Sequence, residues 1–358
     1  MNAGAGDDTI EVRSDEQFDE SAVHEYLRAQ ALPGSEKPMR VRQFGGGAAN
    51  LTYELDFGDH TYVLRRPPLG PVAKSAHDMG REYRVLSVLH KALPQAPRAW
   101  AYCDDETLIG APFFIMERLQ GTVVRRHMPA HFADIKDAPR RMSEALVDTL
   151  ADFHAVDYRQ LGLADLGKPE GFVERQIEGW YQRWHKAKDR DLEEMDTLHA
   201  WLLEHLPPGD GPTLVHNDYK LDNVMFSSHD PGRLLAIFDW DMCTLGDPLC
   251  DVGSLLAYWI EPDDSPEARL LTPMPADTTG WLTRRELVER YAQRSGRDVV
   301  HIDFYHVLGL YRLVVILQQI YIRWVRGQTR DSRFEALGEI IPACARQAVT
   351  ASEQRLLS

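Results

Sequence analysis

Apolar residues recur at helical spacing in SDEQFDESAVHEYLRAQ, where Phe18, Val23, Tyr26 and Leu27 share one face and predict a helix. Residues 1 to about 14, before it, read as disordered. The period then changes. In VRQFGGGAANLTYELDF, Tyr53, Leu55 and Phe57 alternate with polar residues, Gly58-Asp59 supplies a turn and TYVLRR returns, so a β-hairpin is expected with Gly45, Gly46 and Gly47 at its mouth. HDMGREYRVLSVLHKAL puts Met79, Tyr83, Leu86 and Leu89 on one helical face, and APFFIMERLQG reads as a buried strand running into a glycine. From about Gly121 helical patterns dominate, near 140–156, 172–188, 192–206, 251–259, 284–296, 304–326 and 334–356. TLVH and VMF predict two small strands that hold the residues between them in a loop, and LLAIF predicts a strand ending at Asp239, with a hairpin between Asn223 and Asp239. The expected class is α+β: an N-terminal extension and helix over 1–37, a small β-rich lobe over 38–119 and a larger, mostly helical lobe over 120–358.

A length of 358 residues is too great for one ordinary core, which agrees with two lobes. The longest apolar segment, VLGLYRLVVILQQIYI from Val307, is interrupted by Arg312, Gln318 and Gln319 and reads as a buried helix rather than a membrane span. Lys and Arg total 40 against 55 Asp and Glu, a net charge of −15. That balance argues against nucleic acid as a partner and suits small cationic or metal-bridged ligands, although acidity can also serve solubility alone. Cys103, Cys243, Cys250 and Cys344 form no C-x-x-C pair and read as reduced thiols of a cytoplasmic protein, and MNAGAGDDTI lacks the pattern of a signal peptide.

The chemistry gathers in LVHNDYKLDNVMF. His216, Asp218, Lys220 and Asn223 fit H-x-D-x-K-x-x-N, the spacing of a protein-kinase catalytic loop, in which the aspartate accepts the proton of an attacking hydroxyl and the asparagine oxygen binds magnesium. The lysine between them can offset charge on a transferred phosphoryl group. The same match can also arise in a solvated turn. A second acidic block, IFDWDMCTLGDPLCD, follows, with Asp239 at a strand end where phosphoryl transfer needs a metal-binding carboxylate. Asp239 could equally cap a turn. Hard oxygen donors such as Asn223 and Asp239 suit Mg²⁺, and no H-E-x-x-H motif points to zinc.

With both blocks together, the chain resembles the aminoglycoside phosphotransferase and choline kinase family, whose fold is protein-kinase-like and bilobal. HNDYKLDN is similar to that family's catalytic loop, and DWDMCTLGDPLCD to its D-W-[DE]-x(4)-G-D-P-x-x-D block. QFGGGAANLTYEL, YVLRRPPLG, SAHDMGREYRVLSVL and FFIMERLQG resemble more closely the kinase-type domain fused to, or encoded beside, some acyl-CoA dehydrogenases. The resemblance runs from about residue 38 to about residue 330.

It implies Asp218 as base, Asn223 and Asp239 as Mg²⁺ ligands, His216 as a structural histidine and Asp251 as the buried carboxylate bracing the loop backbone. Asp241 and Asp247 belong to the motif without assigned roles. Gly45, Gly46, Gly47 and Asn50 would lie over the ATP phosphates, where missing side chains let backbone N–H groups approach. Ala49 stands where a serine is usual. Arg65 takes the place of the phosphate-binding lysine, with Glu82 as its charge partner, and a planar guanidinium need not replace an ammonium equivalently. Backbone groups of Glu117 and Leu119 would meet the adenine edge.

The implied activity is ATP- and Mg²⁺-dependent phosphorylation of a small hydroxylated substrate. Net charge suits an aminoglycoside or choline-like amine, whereas the closer resemblance implies a hydroxylated acyl compound and brings in an acyl-CoA dehydrogenase as a candidate partner. Trp180, Tyr181, Trp184, Tyr258 and Trp259 are candidate pocket walls. A non-catalytic nucleotide-binding module is the alternative, and a metal-dependent phosphohydrolase a third reading that leaves the glycine-rich hairpin and Glu82 without purpose.

Overall fold

A computed structural model of the chain describes residues 8–45, 50–68, 78–209, 211–266, 269, 272–329 and 331–357. They divide into two compact units, Met1–Gln120 with Ala236–Asp241, and Gly121–Leu235 with Met242–Ser358.

The first unit is built on a six-stranded sheet. In chain order its elements are β1 (Thr9–Ile10), α1 (Glu20–Ala29), β2 (Arg40–Phe44), β3 (Leu51–Asp56), β4 (Thr61–Arg66), α2 (Met79–Leu89), β5 (Ala99–Cys103), α3 (Glu106–Ile109) and β6 (Phe113–Glu117). The strand order is β1-β2-β3-β4-β6-β5, antiparallel throughout. The expected hairpin is β3 and β4, paired from Leu51↔Arg66 to Asp56↔Thr61, with Gly58 in the left-handed conformation at the turn. Alternation along β3 buries Leu51, Tyr53 and Leu55. Val23 and Leu27 of α1 join the same core, so this helix is part of the first unit and not a separate extension. Thr9 and Ile10 correct the reading of disorder for the described part of residues 1–14, residues 1–7 lying outside the described residues. They pair with Phe44 and Gln43 of β2, and the Arg42 guanidinium holds the Thr9 side chain and carbonyl.

The second unit holds α4 (Ala130–Ala133), α5 (Ala138–His154), α6 (Phe172–Ala187), α7 (Glu193–Glu204), β7 (Thr213–Val215), β8 (Val224–Ser227), most of β9 (Asp230–Ile237), β10 (Thr244–Gly246), α8 (Leu249–Tyr258), α9 (Arg284–Ser295), α10 (Ile302–Val325) and α11 (Leu337–Ser352). The strands form two separate pairs, β7 with β10 and β8 with β9. TLVH and VMF therefore flank their loop without pairing with each other. Helix α9 starts on a reciprocal capping box between Thr283 and Glu286 and stops at Gly296, which is left-handed.

Helix α10 is the axis of this unit and packs on α6, α7, α8 and α11. Its apolar window is 78% buried, as suits a core helix. It approaches α8 so closely that a Cβ on Gly253 would lie 2.0 Å from the Tyr305 carbonyl oxygen, and one on Gly309 2.3 Å from that of Gly253. Glycines on both helices permit this approach.

His306 lies buried on α10 with its Nε2 lacking a hydrogen-bond partner. Burial, with Arg284 nearby, pushes its pKa down to about 3, against a smaller opposing effect of Asp264. Because the folded value lies below the unfolded one, acidification protonates the unfolded chain first, and stability falls as pH drops from about 6.5 toward 3. Urea denaturation at pH 7 and pH 5 should show wild type losing about 2 kcal/mol more than His306→Leu over that interval. Equal losses would mean the ring is solvated or paired.

Candidate active site

In the second unit the chain leaves β7 at His216 and turns at once. The His216 and Asn217 amides donate to the two Asp251 oxygens at 2.6 and 2.7 Å, and His154 Nε2 reaches Oδ2 at 3.2 Å. Tyr291 O–H in turn meets His154 Nδ1 at 2.8 Å. Asp251 is fully buried on α8. Burial alone would raise its carboxyl, but the hydrogen bond and charge of His154, with His216, outweigh it and hold the carboxyl below its ordinary range. Asn217 adopts φ +64°, a left-handed conformation rare outside glycine, and its side-chain amide donates to the Met242 carbonyl at 3.0 Å.

That turn presents Asp218. Its amide donates to His216 Nδ1 at 3.2 Å, which gives His216 an orienting role inside the loop. Lys220 Nζ lies 2.6 Å from Asp218 Oδ2, and Asn223 Nδ2 donates to the same oxygen at 2.8 Å and to the Asp218 carbonyl at 2.9 Å. Both side-chain donors fall on Oδ2. Oδ1 receives no hydrogen bond among the described residues and remains able to accept a proton. With its N–H₂ group so engaged, Asn223 has its Oδ1 left as a hard donor of the kind Mg²⁺ prefers. Burial opposes the charge on Lys220, but Asp218, Tyr258 and Asp222 raise its pKa overall. Its Nζ sits 5.2 Å from the Tyr258 ring centroid.

The first unit carries the other expected residues. Arg65 on β4 places Nη1 3.0 Å from Glu82 Oε1 on α2, and its Nη2 bonds Asp239 Oδ1. Glu82 is completely buried, which excludes an ordinary solvated helix glutamate. Burial pushes its carboxyl up to about 7, with Asp239 and Asp241 adding to the shift against the pull of Arg65. Asp239 sits at φ +68° and keeps its side chain 31% exposed. If Arg65 meets a nucleotide phosphate, as the family resemblance implies, Arg65→Met should weaken Mg²⁺–ATP binding about tenfold, with Arg65→Lys recovering most of the loss. Isothermal titration with a non-hydrolysable ATP analogue checks this, and equal affinities would remove Arg65 from the phosphate site.

Gly45 is described, whereas Gly46, Gly47 and Ala49 lie outside the described residues. Asn50 is buried just before β3. The Glu117 N–H already donates to the Arg98 carbonyl at 2.9 Å, and the Leu119 carbonyl accepts from Arg118 Nη1 at 2.7 Å.

Trp184 and Trp259 are 1% and 2% exposed and belong to the core rather than to a pocket wall. Tyr181 stacks on His199 and bonds Asp196. Asp247 is a helix-capping group: Oδ1 accepts the Leu249 amide at 3.0 Å and Oδ2 the Tyr305 hydroxyl at 2.7 Å. Asp222 was not singled out, yet its carboxyl is raised chiefly by burial and its Oδ1 is buried without a hydrogen bond. A cavity of about 290 Å³ lined by Phe172, Leu206, Pro212, Gly246 and Asp247 lies at the Thr213 end of β7, the opposite end from Asp218.

Similar proteins bear on this arrangement. Acyl-CoA dehydrogenase family member 11 of Gallus gallus is 30% identical over 356 residues, covering 97% of this chain but 45% of the relative. The chain thus spans less than half the length of that relative. A Ralstonia eutropha structure described as a candidate aminoglycoside phosphotransferase is 30% identical, with TM-score 0.81 over 94% of this chain and 99% of that one. Choline kinase of Cryptosporidium parvum, at 12% identity and TM-score 0.62 over 94% of this chain and 96% of that one, shares the kinase-like fold. The profile of the phosphotransferase enzyme family matches residues 40–294, which contain the 216–223 loop, the Arg65–Glu82 pair and the second acidic block, and the chain belongs to that family.

Proposed function

We propose that this chain is an ATP- and Mg²⁺-dependent small-molecule kinase that phosphorylates a hydroxyl group, with Asp218 as the general base. The observation carrying this reading is the Asp218 carboxylate, with Lys220 and Asn223 both held on Oδ2 and Oδ1 open to a substrate hydroxyl. A nucleotide-binding module has no need of such a group. Asn223 and Asp239 would hold Mg²⁺, which would offset phosphate charge when bound. Arg65, fixed by Glu82, would bind phosphate oxygens, and Gly45, Gly46, Gly47 and Asn50 would cover them. Lys220 would stabilise negative charge at the transferred group.

The acceptor we favour is a hydroxylated acyl compound, on the strength of the acyl-CoA dehydrogenase relatives. Such a dehydrogenase is the partner this reading suggests. A reducing, cytoplasmic setting agrees with four cysteines that form no disulfide among the described residues. ADP release should be measured with Mg²⁺ and ATP across hydroxyacyl-CoAs, aminoglycosides, choline-like amines and sugars. Acceptor-dependent release identifies the class. Silence across the panel, with Mg²⁺–ATP still raising the melting temperature, would favour the nucleotide-binding module.

A further inference from the structure

We propose that Arg312, through its bond to the Asn217 carbonyl, is a positioning residue that fixes the peptide leading into Asp218; this rests on the kinase reading above. Arg312 sits in the middle of the apolar run of α10 and is 9% exposed. Among the described residues no carboxylate lies within ion-pair distance of it. An unpaired buried charge costs several kcal/mol, so bulk packing is a poor reason for it. Its Nη2 donates to the Asn217 carbonyl, and its guanidinium carbon lies 5.2 Å from the Trp180 ring centroid. Nε has no hydrogen-bond partner, and Arg312 lines a cavity of about 20 Å³ with Gln176, Trp180, Cys250 and Ser254, room for about one water.

The bond matters because of what else holds Asn217. Its amide is fixed by Asp251 and its side chain by Met242. The next peptide unit, the Asn217 carbonyl with the Asp218 amide, has two anchors: Arg312 on the carbonyl and His216 Nδ1 at 3.2 Å on the amide. A guanidinium bond to a carbonyl is charge-assisted and is the stronger of the two. Without it, a residue already at positive φ can let that peptide rotate, carrying the Asp218 carboxylate with it. Close packing of α8 on α10 through Gly253 and Gly309 delivers both Asp251 and Arg312 to the loop.

The test uses the full chain with Arg312→Gln and Arg312→Lys. Hydrogen exchange should show the Asn217 and Asp218 amides of the Gln variant exchanging at least about tenfold faster, with β10 and α8 unchanged. ADP release per nucleotide-binding site should fall about 100-fold at unchanged KM for ATP, since misplacement of about 1 Å has that effect. The Lys variant, which can still donate to the carbonyl, should recover part of both. Wild-type exchange in the Gln variant overturns the proposal, as does a loss of activity that merely tracks lost nucleotide-binding protein. Should the Gln variant fail to fold, Arg312→Met, which removes the donor and the charge together, decides on the same two readouts, and wild-type values in both would overturn the proposal. A wild type without phosphoryl transfer sinks the kinase reading, while the exchange measurement still decides whether Arg312 holds the loop.

Discussion

Asp218→Asn is expected to lower phosphoryl transfer about 1,000-fold while leaving nucleotide affinity nearly unchanged. The substitution keeps the shape of the side chain and an oxygen for Lys220 and Asn223, but it removes the carboxylate that would take the hydroxyl proton. Arg65 and Glu82, expected to meet the nucleotide phosphates, make their ion pair within the other unit and should not be disturbed. The effect should therefore fall on kcat and not on KM for ATP. Turnover in the presence of a productive acceptor, measured beside the melting shift caused by Mg²⁺–ATP, separates the possible results. Undiminished turnover would show that another group is the base. Loss of both readouts would mean that the loop needs the Asp218 charge to hold together.

The parts of this site that could be read from sequence are those whose residues lie close together in the chain. His216, Asp218, Lys220 and Asn223 fall within eight positions, and the structure joins them by direct hydrogen bonds. The hairpin of β3 and β4 was equally legible, because alternation and a Gly-Asp turn are local signals. Strand β5 was not. A bulge between Ala99 and Ala101 breaks its alternation, and the residues it buries, Ala99, Ala101 and Cys103, are small while the large Trp100 and Tyr102 are only half-buried, so no period-2 pattern stands out. Strand β1 is two residues long and takes its order from β2, which no window of sequence contains.

Long-range partners were the other blind spot. Arg312 looked like an interruption of an apolar helix because its partner, Asn217, is 95 residues away. The aromatic residues near Trp180 illustrate the converse: their spacing on α6 gives a helical face, but only packing distinguishes buried Trp184 from Tyr181 at the surface cluster with His199. Asp247 and Asp251 share a motif and four-residue spacing. One caps α8 and the other braces the loop, a difference set by tertiary contacts with Tyr305 and with His154.

Asp251→Ala should destabilise the protein by about 3–5 kcal/mol, because it leaves the His216 and Asn217 amides and His154 Nε2 buried without their acceptor. A shift of the urea midpoint at constant slope measures this. The sign of the pH dependence supplies a second check. The Asp251 carboxyl is held below its ordinary range in the folded chain, so its stabilisation is fully present above the unfolded carboxylate pKa and is lost as pH falls through the folded value. The gap between wild type and Asp251→Ala should accordingly be widest near neutral pH and narrow on acidification below about pH 4. A gap that stays constant across this range would mean that Asp251 acts through shape alone. Because the same carboxylate holds the amides just before Asp218, the fraction of variant that remains folded should also lose transfer activity, and any acceptor-dependent ADP release at the wild-type rate would disconnect the brace from the chemistry.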